Sequence, residues 1–173
     1  SDLIGARWVL VIERYDRRLV GTQIERLHQE DAAQALGIPW GGNEKFEEND
    51  SRVSLRAVAG LLDRGGNLFA ERDADKRRLL RYVAFNVAMG NTDAHAKNFS
   101  LLHDDTGATS LAPIYDVAPL ALAYGATTRL SMWVDGVQHL PEVTREDLVA
   151  EGRSWGLKDA VATAAVDETL TAM

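Results

Sequence analysis

Residues 91–100 read Asn-Thr-Asp-Ala-His-Ala-Lys-Asn-Phe-Ser, and an apolar segment lies on either side of them. Most of these side chains are polar, and polar groups next to a core cost free energy unless they are paired. A simple connection between two elements needs only two or three such residues. A concentration of polar residues at a junction is therefore typical of a functional site.

The spacing of three oxygen-bearing side chains predicts a chemistry for this stretch. Asn98 follows Asp93 by five positions, and Asp116 comes 18 positions after Asn98, beyond a predicted hairpin. Phosphoryl transfer to a hydroxyl needs a carboxylate as base, a cation near the phosphoryl group and oxygen ligands for Mg²⁺. Protein kinases use this order of Asp, Asn and metal-binding Asp. We therefore expect Asp93 to be the base, Lys97 the charge-stabilising cation, and Asn98 and Asp116 the Mg²⁺ ligands.

Outward from this stretch, hydrophobic periodicity predicts mostly helices with a few short hairpins, which is an α+β fold. Residues 74–89 carry the clearest helical stripe, and Gly90 supplies a stop. The charged run from Asp73 to Arg81 is expected to be a solvated helix face. Residues 40–50 have no periodicity and predict a loop. The remaining predictions are helices over 29–36, from Ser51 or Ser54, from Thr144 and from Lys158, strands over 7–15, 18–27 and 129–134, and a hairpin of 99–102 with 109–114.

Composition limits the class of protein. A chain of 173 residues with 46% hydrophobic and 26% charged residues fits one globular domain. The net charge of −7 disfavours non-specific nucleic-acid binding, which depends on Lys and Arg. The chain has no cysteine, which excludes disulfides and thiolate metal sites and suits a reducing cytoplasm. It begins without Met and stops within a helical pattern, so we expect a piece of a longer protein.

The stretch 91–100, followed by Leu-Ala-Pro-Ile-Tyr-Asp-Val over 111–117, is similar to the signature of the HipA-type toxin serine/threonine kinases. Residues 13–17 and 27–31 also resemble that family, and they occur in the expected order. The resemblance runs from about Val11 to Gly136. It implies a helix-dominated, protein-kinase-like C-terminal lobe with short β-hairpins, formed as one domain over residues 1–173, in which 1–15 is a strand leading into the hinge.

The resemblance also implies where ATP and Mg²⁺ would bind. The backbone of Glu13 and Tyr15 would form the hinge that holds adenine. Around the rest of the nucleotide, the resemblance implies His95, Lys97 and Asn98 at the phosphates, Tyr115 beside the nucleotide and Asp116 on Mg²⁺.

The sequence also departs from a whole kinase. Neither a Gly-rich phosphate loop nor a strand Lys precedes Glu13, and the pairs Gly41-Gly42 and Gly65-Gly66 come too late in the chain to replace that loop. The N-terminal lobe is therefore expected to be missing from this sequence.

By resemblance, the function is ATP- and Mg²⁺-dependent phosphorylation of a protein serine or threonine by the toxin of a bacterial toxin–antitoxin system. The implied substrate belongs to the translation machinery, such as an aminoacyl-tRNA synthetase. The implied partner is a small DNA-binding antitoxin, through which DNA is contacted only indirectly. Two alternatives stay open: a non-catalytic kinase-like module that binds an antitoxin or acts in corepression, and a small-molecule phosphotransferase.

Simpler interpretations exist for single residues. Asp93 and Asn98 could cap the elements they join, and His95 could be a hydrogen-bonded structural histidine. Lys97 could be a solvated surface lysine. The run His103-Asp104-Asp105 is expected to be turn chemistry and not a metal site. The four tryptophans are expected in the core or on a partner-facing surface, at positions 8, 40, 133 and 155.

Overall fold

A computed structural model describes residues 2–4, 7–9, 11–64, 69–123, 125 and 127–173. Five helices occur in these ranges: α1 (Ala32–Ala35), α2 (Leu55–Leu61), α3 (Phe69–Met89), α4 (Arg145–Ser154) and α5 (Asp159–Thr171). The strands there are β1 (Asp2–Ile4), β2 (Arg7–Val9), β3 (Arg17–Val20), β4 (Gln23–Arg26), β5 (His28–Asp31), β6 (Ser100–His103), β7 (Thr109–Leu111), β8 (Arg129–Val134) and β9 (Val137–His139).

The strands form small antiparallel sheets around a mainly helical body. The pairs are β1 with β2, β3 with β4 and β8 with β9, while β5, β6 and β7 form a three-stranded sheet in that order. The predicted hairpin is confirmed as β6 and β7, with Leu101 opposite Leu111. The α+β, helix-dominated class predicted from the sequence is confirmed.

Helix α3 is the central element of the core. Its residues Leu79 and Leu80 are fully buried, and the helix packs against α4 and α5. Gly152 of α4 allows this close approach, because a Cβ atom built there would lie 2.5 Å from Leu80 Cδ2. Gly90 ends α3 with a φ of +74°, as its position predicted. α3 thereby delivers the chain directly into the polar stretch.

Several helix starts follow the predicted local chemistry. The Ser54 side chain accepts a hydrogen bond from Ala57 N, and Thr144 and Asp147 form a capping box at the start of α4. Lys158 precedes α5, as expected. Residues 40–50 contain only turns and irregular backbone, which confirms the predicted loop.

The predictions for the first 36 residues were partly wrong. The buried strand over 7–15 is instead a short β2, followed by irregular, exposed backbone at 11–14, and Trp8 is 76% exposed. The strand predicted over 18–27 is the hairpin β3–β4, which turns at Gly21. The helix predicted over 29–36 begins only at Ala32, because residues 28–31 pair with β6 and Asp31 caps the helix. Apolar composition predicts burial, but no described element covers residues 7–15.

The expectation of a solvated face over Asp73–Arg81 was wrong in its centre. Asp75 and Lys76 are buried. The Asp75 carboxylate accepts from Leu111 N at 3.0 Å, and Lys76 Nζ donates to Trp155 O at 3.0 Å. These contacts come from β7 and from the end of α4, which a charge pattern within α3 cannot reveal.

Two further predictions have mixed outcomes. Trp155 is buried, whereas Trp40 is 94% exposed. The turn at residues 103–107 is confirmed, because the Asp104 carboxylate accepts from Thr106 N and Ala108 N. The pair Gly65-Gly66 lies outside the described residues. No helix in the described ranges is long and apolar enough to cross a bilayer.

Candidate active site

Asn91 holds the first part of the polar stretch in place. After Gly90 the chain turns back, so that Asn91 Nδ2 donates to Asn86 Oδ1 at 2.7 Å and to Asp116 O at 3.4 Å. Its own Oδ1 accepts from Asp93 N at 3.2 Å. Asn91 is buried and therefore joins the Asp93 segment to the Asp116 segment. This linking role was not predicted from the sequence, although Asn91 lies within the polar stretch.

A short 3₁₀ helix, Ala96–Asn98, carries the second part of the stretch. Asn98 N donates to His95 O at 2.9 Å, and Asn98 Oδ1 accepts from His95 N at 3.2 Å. Asn98 Nδ2 donates to Asp116 Oδ2 at 2.7 Å. The buried Asn98 amide is thus in direct contact with the carboxylate of Asp116, 18 residues further along the chain.

Asp116 has an unusual backbone conformation. Its φ is +57°, in the left-handed region that few residues other than Gly, Asn and Asp adopt. The residue is exposed. Its neighbour Tyr115 anchors the segment, because Tyr115 Oη donates to Lys97 O at 2.6 Å and lies 2.6 Å from Ser100 Oγ. Burial raises the pKa of Tyr115 to about 12, so the phenol remains a protonated donor at neutral pH.

Asp93 lies on the open side of the stretch. It is exposed and lines a cavity of about 410 Å³. Lys97 is half-buried, and its carbonyl oxygen accepts the Tyr115 hydroxyl. Two of the four central residues, Asp93 and Asp116, are therefore exposed, while their backbones are fixed by neighbouring amides.

His95 is buried beside a loop that the sequence did not connect to the site. Its ring meets the Phe46 ring edge to face, with centroids 5.6 Å apart, and Ala96 N donates to Lys45 O at 3.2 Å. Burial lowers the pKa of His95, and the positive charge of Lys45 lowers it further, although Asp93 and Asp116 act in the opposite direction. The imidazole is therefore neutral at neutral pH. Its buried Nδ1 has no hydrogen-bond partner among the described residues.

The predicted hinge residues differ in their positions. The Tyr15 ring stacks on the Tyr115 ring, with centroids 6.4 Å apart and planes at 30°. The turn at Tyr15 is held by the buried Asp16, whose pKa falls to about 2 because of its hydrogen bonds with the Arg14 guanidinium. Glu13 lies in the exposed irregular segment 11–14. Tyr15 is thus brought to the site by a ring contact that no local pattern predicted.

The donor atoms at Asn98 and Asp116 fit Mg²⁺. Mg²⁺ binds one or two protein oxygens and completes its shell with phosphate and water oxygens. Asp116 offers an exposed carboxylate, and Asn98 would offer its amide oxygen once the amide turned and gave up the Nδ2–Oδ2 hydrogen bond. Among the described residues, no group of three or more Asp, Glu or His side chains could hold a metal by itself. The site therefore suits a cation that arrives with phosphates.

A sequence model named HipA-like C-terminal domain matches residues 2–173, almost the whole chain. This chain belongs to that family. The assignment agrees with the resemblance seen in the polar stretch.

Two curated relatives of the HipA-like domain have names that describe kinases. A Sinorhizobium fredii protein named as a kinase is 34% identical over 157 residues, which are 90% of this chain and 34% of the relative. The Shewanella oneidensis protein named serine/threonine-protein kinase toxin HipA is 32% identical over 143 residues, which are 76% of this chain and 31% of that protein. The HipA-like chain thus spans about a third of the length of these relatives.

A solved structure has the same fold. It is the Shewanella oneidensis HipA toxin–antitoxin complex with HipB and its operator DNA, which matches with a TM-score of 0.77 and 26% identity. The match covers 92% of this HipA-like chain and 38% of the other.

Proposed function

We propose that this domain is the catalytic lobe of an ATP- and Mg²⁺-dependent protein serine/threonine kinase. The observation that carries the proposal is the 2.7 Å contact between Asn98 and Asp116, because it joins two segments far apart in sequence beside Asp93. Kinase chemistry needs these three oxygen-bearing groups at one place. The kinase names of the relatives support the same conclusion.

In this proposal Asp93 accepts the proton of the attacking hydroxyl. A general base must reach the acceptor, and Asp93 is exposed and faces a cavity. Asn91 holds the backbone N–H of Asp93, which limits the positions that the carboxylate can take. As the hydroxyl oxygen bonds to the γ-phosphorus, the bond from that phosphorus to the ADP oxygen breaks.

The other predicted residues would bind the nucleotide. Lys97 would place its ammonium near the transferred phosphoryl group, and neutral His95 would line the phosphates. Asn98 and Asp116 would hold Mg²⁺, which neutralises the negative charge that builds up on the phosphates. The stacked Tyr15 and Tyr115 rings would lie beside the nucleotide, and the backbone of Glu13 and Tyr15 would hold adenine.

The proposal extends to the cellular role. The matching Shewanella structure contains HipB and operator DNA, which supports a small DNA-binding antitoxin as the partner of this domain in a bacterial toxin–antitoxin system. The net charge of −7 suits contact with DNA through that antitoxin. The proposed substrate is a protein of the translation machinery, such as an aminoacyl-tRNA synthetase, which places the reaction in the cytoplasm.

Titration of Mg·ATP tests the donor side of this proposal. The full-length protein, its Asp116→Ala variant and an Asp105→Ala control would be compared by calorimetry, with Asp105 chosen because its side chain is fully exposed in a turn. We expect Mg²⁺-dependent ATP binding in the wild type and the control and its loss in Asp116→Ala. Equal binding by all three proteins would remove Asp116 from the metal role. No binding by any of them would favour the non-catalytic module.

A further inference from the structure

The cavity that Asp93 lines has walls from four separate parts of the chain. They are the polar stretch, the loop 43–50, the segment after Asp116 and strand β8. Its volume is about 410 Å³, which is within the usual range of binding pockets. Its lining includes Phe46, Glu48, Asp93, Leu120, Arg129 and Leu130.

The cavity lies on the side of Asp93 away from the proposed metal ligands. Asp93 and Thr92 line it, whereas Asn98 and Asp116 do not. A base that transfers a proton between acceptor and donor must touch both sides. With the nucleotide held by Asn98 and Asp116, the cavity is the free side from which a hydroxyl can approach Asp93.

Two of the walls are fixed by hydrogen bonds. Ser131 of β8 donates to Thr92 O through both its backbone N, at 3.0 Å, and its Oγ, at 2.8 Å. The loop 43–50 joins the same strand, because Glu47 N donates to Ser131 O at 3.0 Å and Glu47 Oε2 accepts from Trp133 N at 2.7 Å. Asp93 and the cavity floor are thus parts of one hydrogen-bonded unit.

The segment after Asp116 forms the outer wall. Leu120 and Ala123 line the cavity, and Ala121 N donates to Gly90 O at 2.9 Å, which ties this wall to the end of α3. Leu120 is 37% exposed and therefore stands at the mouth. The chain that carries the proposed metal ligand continues directly into the wall of the cavity.

The lining is largely carbon, and its charges are mostly paired. Phe46, Leu120 and Leu130 provide apolar surface. The ion pair between Arg129 Nη2 and Glu48 Oε2 is 3.0 Å long and partly exposed, so neither charge is left to select a strongly charged ligand. A sugar or polyol would place hydroxyl groups against apolar walls without partners, which is unfavourable. An apolar side chain fits.

We propose that this cavity binds the acceptor, a serine- or threonine-containing polypeptide segment with an apolar residue next to the phosphorylated hydroxyl. This inference rests on the proposed kinase function and adds the substrate class. Phe46, Leu120 and Leu130 take the apolar neighbour, and Asp93 meets the hydroxyl. Leu120 and Ala123 determine specificity through the shape of the mouth.

Two substitutions at the mouth test this with matched controls. Ala123→Phe fills the cavity from an exposed position, and Leu120→Ser removes apolar surface. Ala160→Phe in α5 is the exposed control for the first, and Leu170→Ser is the control for the second, since Leu170 has the same 37% exposure as Leu120. The full-length protein and its variants would be assayed with radiolabelled ATP on a serine and threonine peptide library, alongside ATP hydrolysis without peptide.

The expected result has two parts. The wild type should prefer peptides with Leu, Val or Phe beside the acceptor over those with Asp or Lys. Ala123→Phe and Leu120→Ser should raise the KM for the preferred peptide about tenfold, the loss expected for one buried apolar side chain, while the KM for ATP and the peptide-free hydrolysis stay unchanged. Both controls should behave as the wild type.

The remaining outcomes overturn the inference in distinguishable ways. If the wild type hydrolyses ATP but favours charged neighbours, or if the mouth variants match their controls, the acceptor binds elsewhere and the kinase function stands. If the wild type neither binds Mg·ATP nor transfers phosphate, the proposed function itself fails and the acceptor pocket fails with it.

Discussion

Two groups of polar side chains lie against the same hydrophobic core, and they are satisfied in different ways. One group, the core network, consists of Asp75, Lys76 and Glu151 in helices α3 and α4. Glu151 Oε1 accepts from Trp155 Nε1 at 2.7 Å and Oε2 from Asp135 N at 2.6 Å, while Lys76 Nζ donates to Asp63 and to Trp155 O. All three residues are buried and paired.

The other group, the site loop, consists of residues 90–99 together with Asp116. Here the backbone is held by Asn91 and Asn98, but Asp93 and Asp116 are exposed. The buried His95 Nδ1 has no partner among the described residues. A network closed on itself stabilises a fold, whereas fixed backbone with open oxygens is suited to binding. The difference predicts that substitutions in the site loop change activity and those in the core network change stability.

The largest expected effect is at Asp93. Asp93→Ala should lower kcat by about 10²–10⁴, because a general base is lost from the transition state. Its free energy of unfolding should change by less than about 0.5 kcal/mol, since the side chain is exposed. Phosphorylation rates and urea unfolding of the full-length protein measure the two quantities. Unfolding of the variant at low urea would break the distinction between the two groups.

The next effect is at Glu151. Glu151→Ala should lower the free energy of unfolding by about 2–4 kcal/mol, because Trp155 Nε1 and Asp135 N lose their acceptor inside the protein. Thermal or urea unfolding would measure the change. Glu142→Ala is the control, since Glu142 is exposed, and it should stay near the wild type. Equal stability of the two variants would show that the core network is not structural.

A smaller loss is expected at Lys76. Lys76→Met keeps the apolar stem but removes the ammonium that donates to Trp155 O and to Asp63. The unfolding free energy should fall by about 1–2 kcal/mol, because the buried carbonyl of Trp155 loses a charged donor. Lys158→Met, at an exposed position, serves as control. An unchanged urea midpoint for Lys76→Met would place this lysine outside the network.

The smallest effect concerns Glu47, which lies between the two groups. Burial raises its pKa from 4.5 to about 7, and the negative charge of Glu151 acts in the same direction. Because the pKa is higher in the folded state, the stability contribution is complete below about pH 4.5 and is lost as pH rises to about 7. Glu47 is only half-buried, so solvent screening keeps the loss near 1 kcal/mol or less.

Comparison of Glu47→Gln with the wild type isolates this pH dependence. The amide introduced by the substitution would stay neutral while still accepting from Trp133 N, so the melting temperature of the variant should vary less between about pH 4.5 and 7. Glu142→Gln should retain the wild-type profile. Parallel profiles for all three proteins would contradict the assignment of this titration to Glu47.

Some features of the molecule could be predicted from short stretches of sequence. The caps at Ser54 and Thr144, the end of α3 at Gly90 and the β6–β7 hairpin all form through hydrogen bonds between residues a few positions apart. The same holds for the internal geometry of the stretch around Asp93, where Asn91 and Asn98 bond to near neighbours. Such interactions depend on side-chain type and spacing, which a sequence displays directly.

Other features depended on partners that are distant in the chain. Burial of Asp75 and Lys76 requires contacts 36 and 79 positions away, with Leu111 and Trp155. The Tyr15–Tyr115 stack, the His95–Phe46 contact and the cavity beside Asp93 likewise join segments that no periodicity connects. The order of the polar residues was therefore determined by sequence alone. Whether each one was closed into the core or left open to a ligand was decided only by packing between distant segments, since burial is a property of the assembled chain.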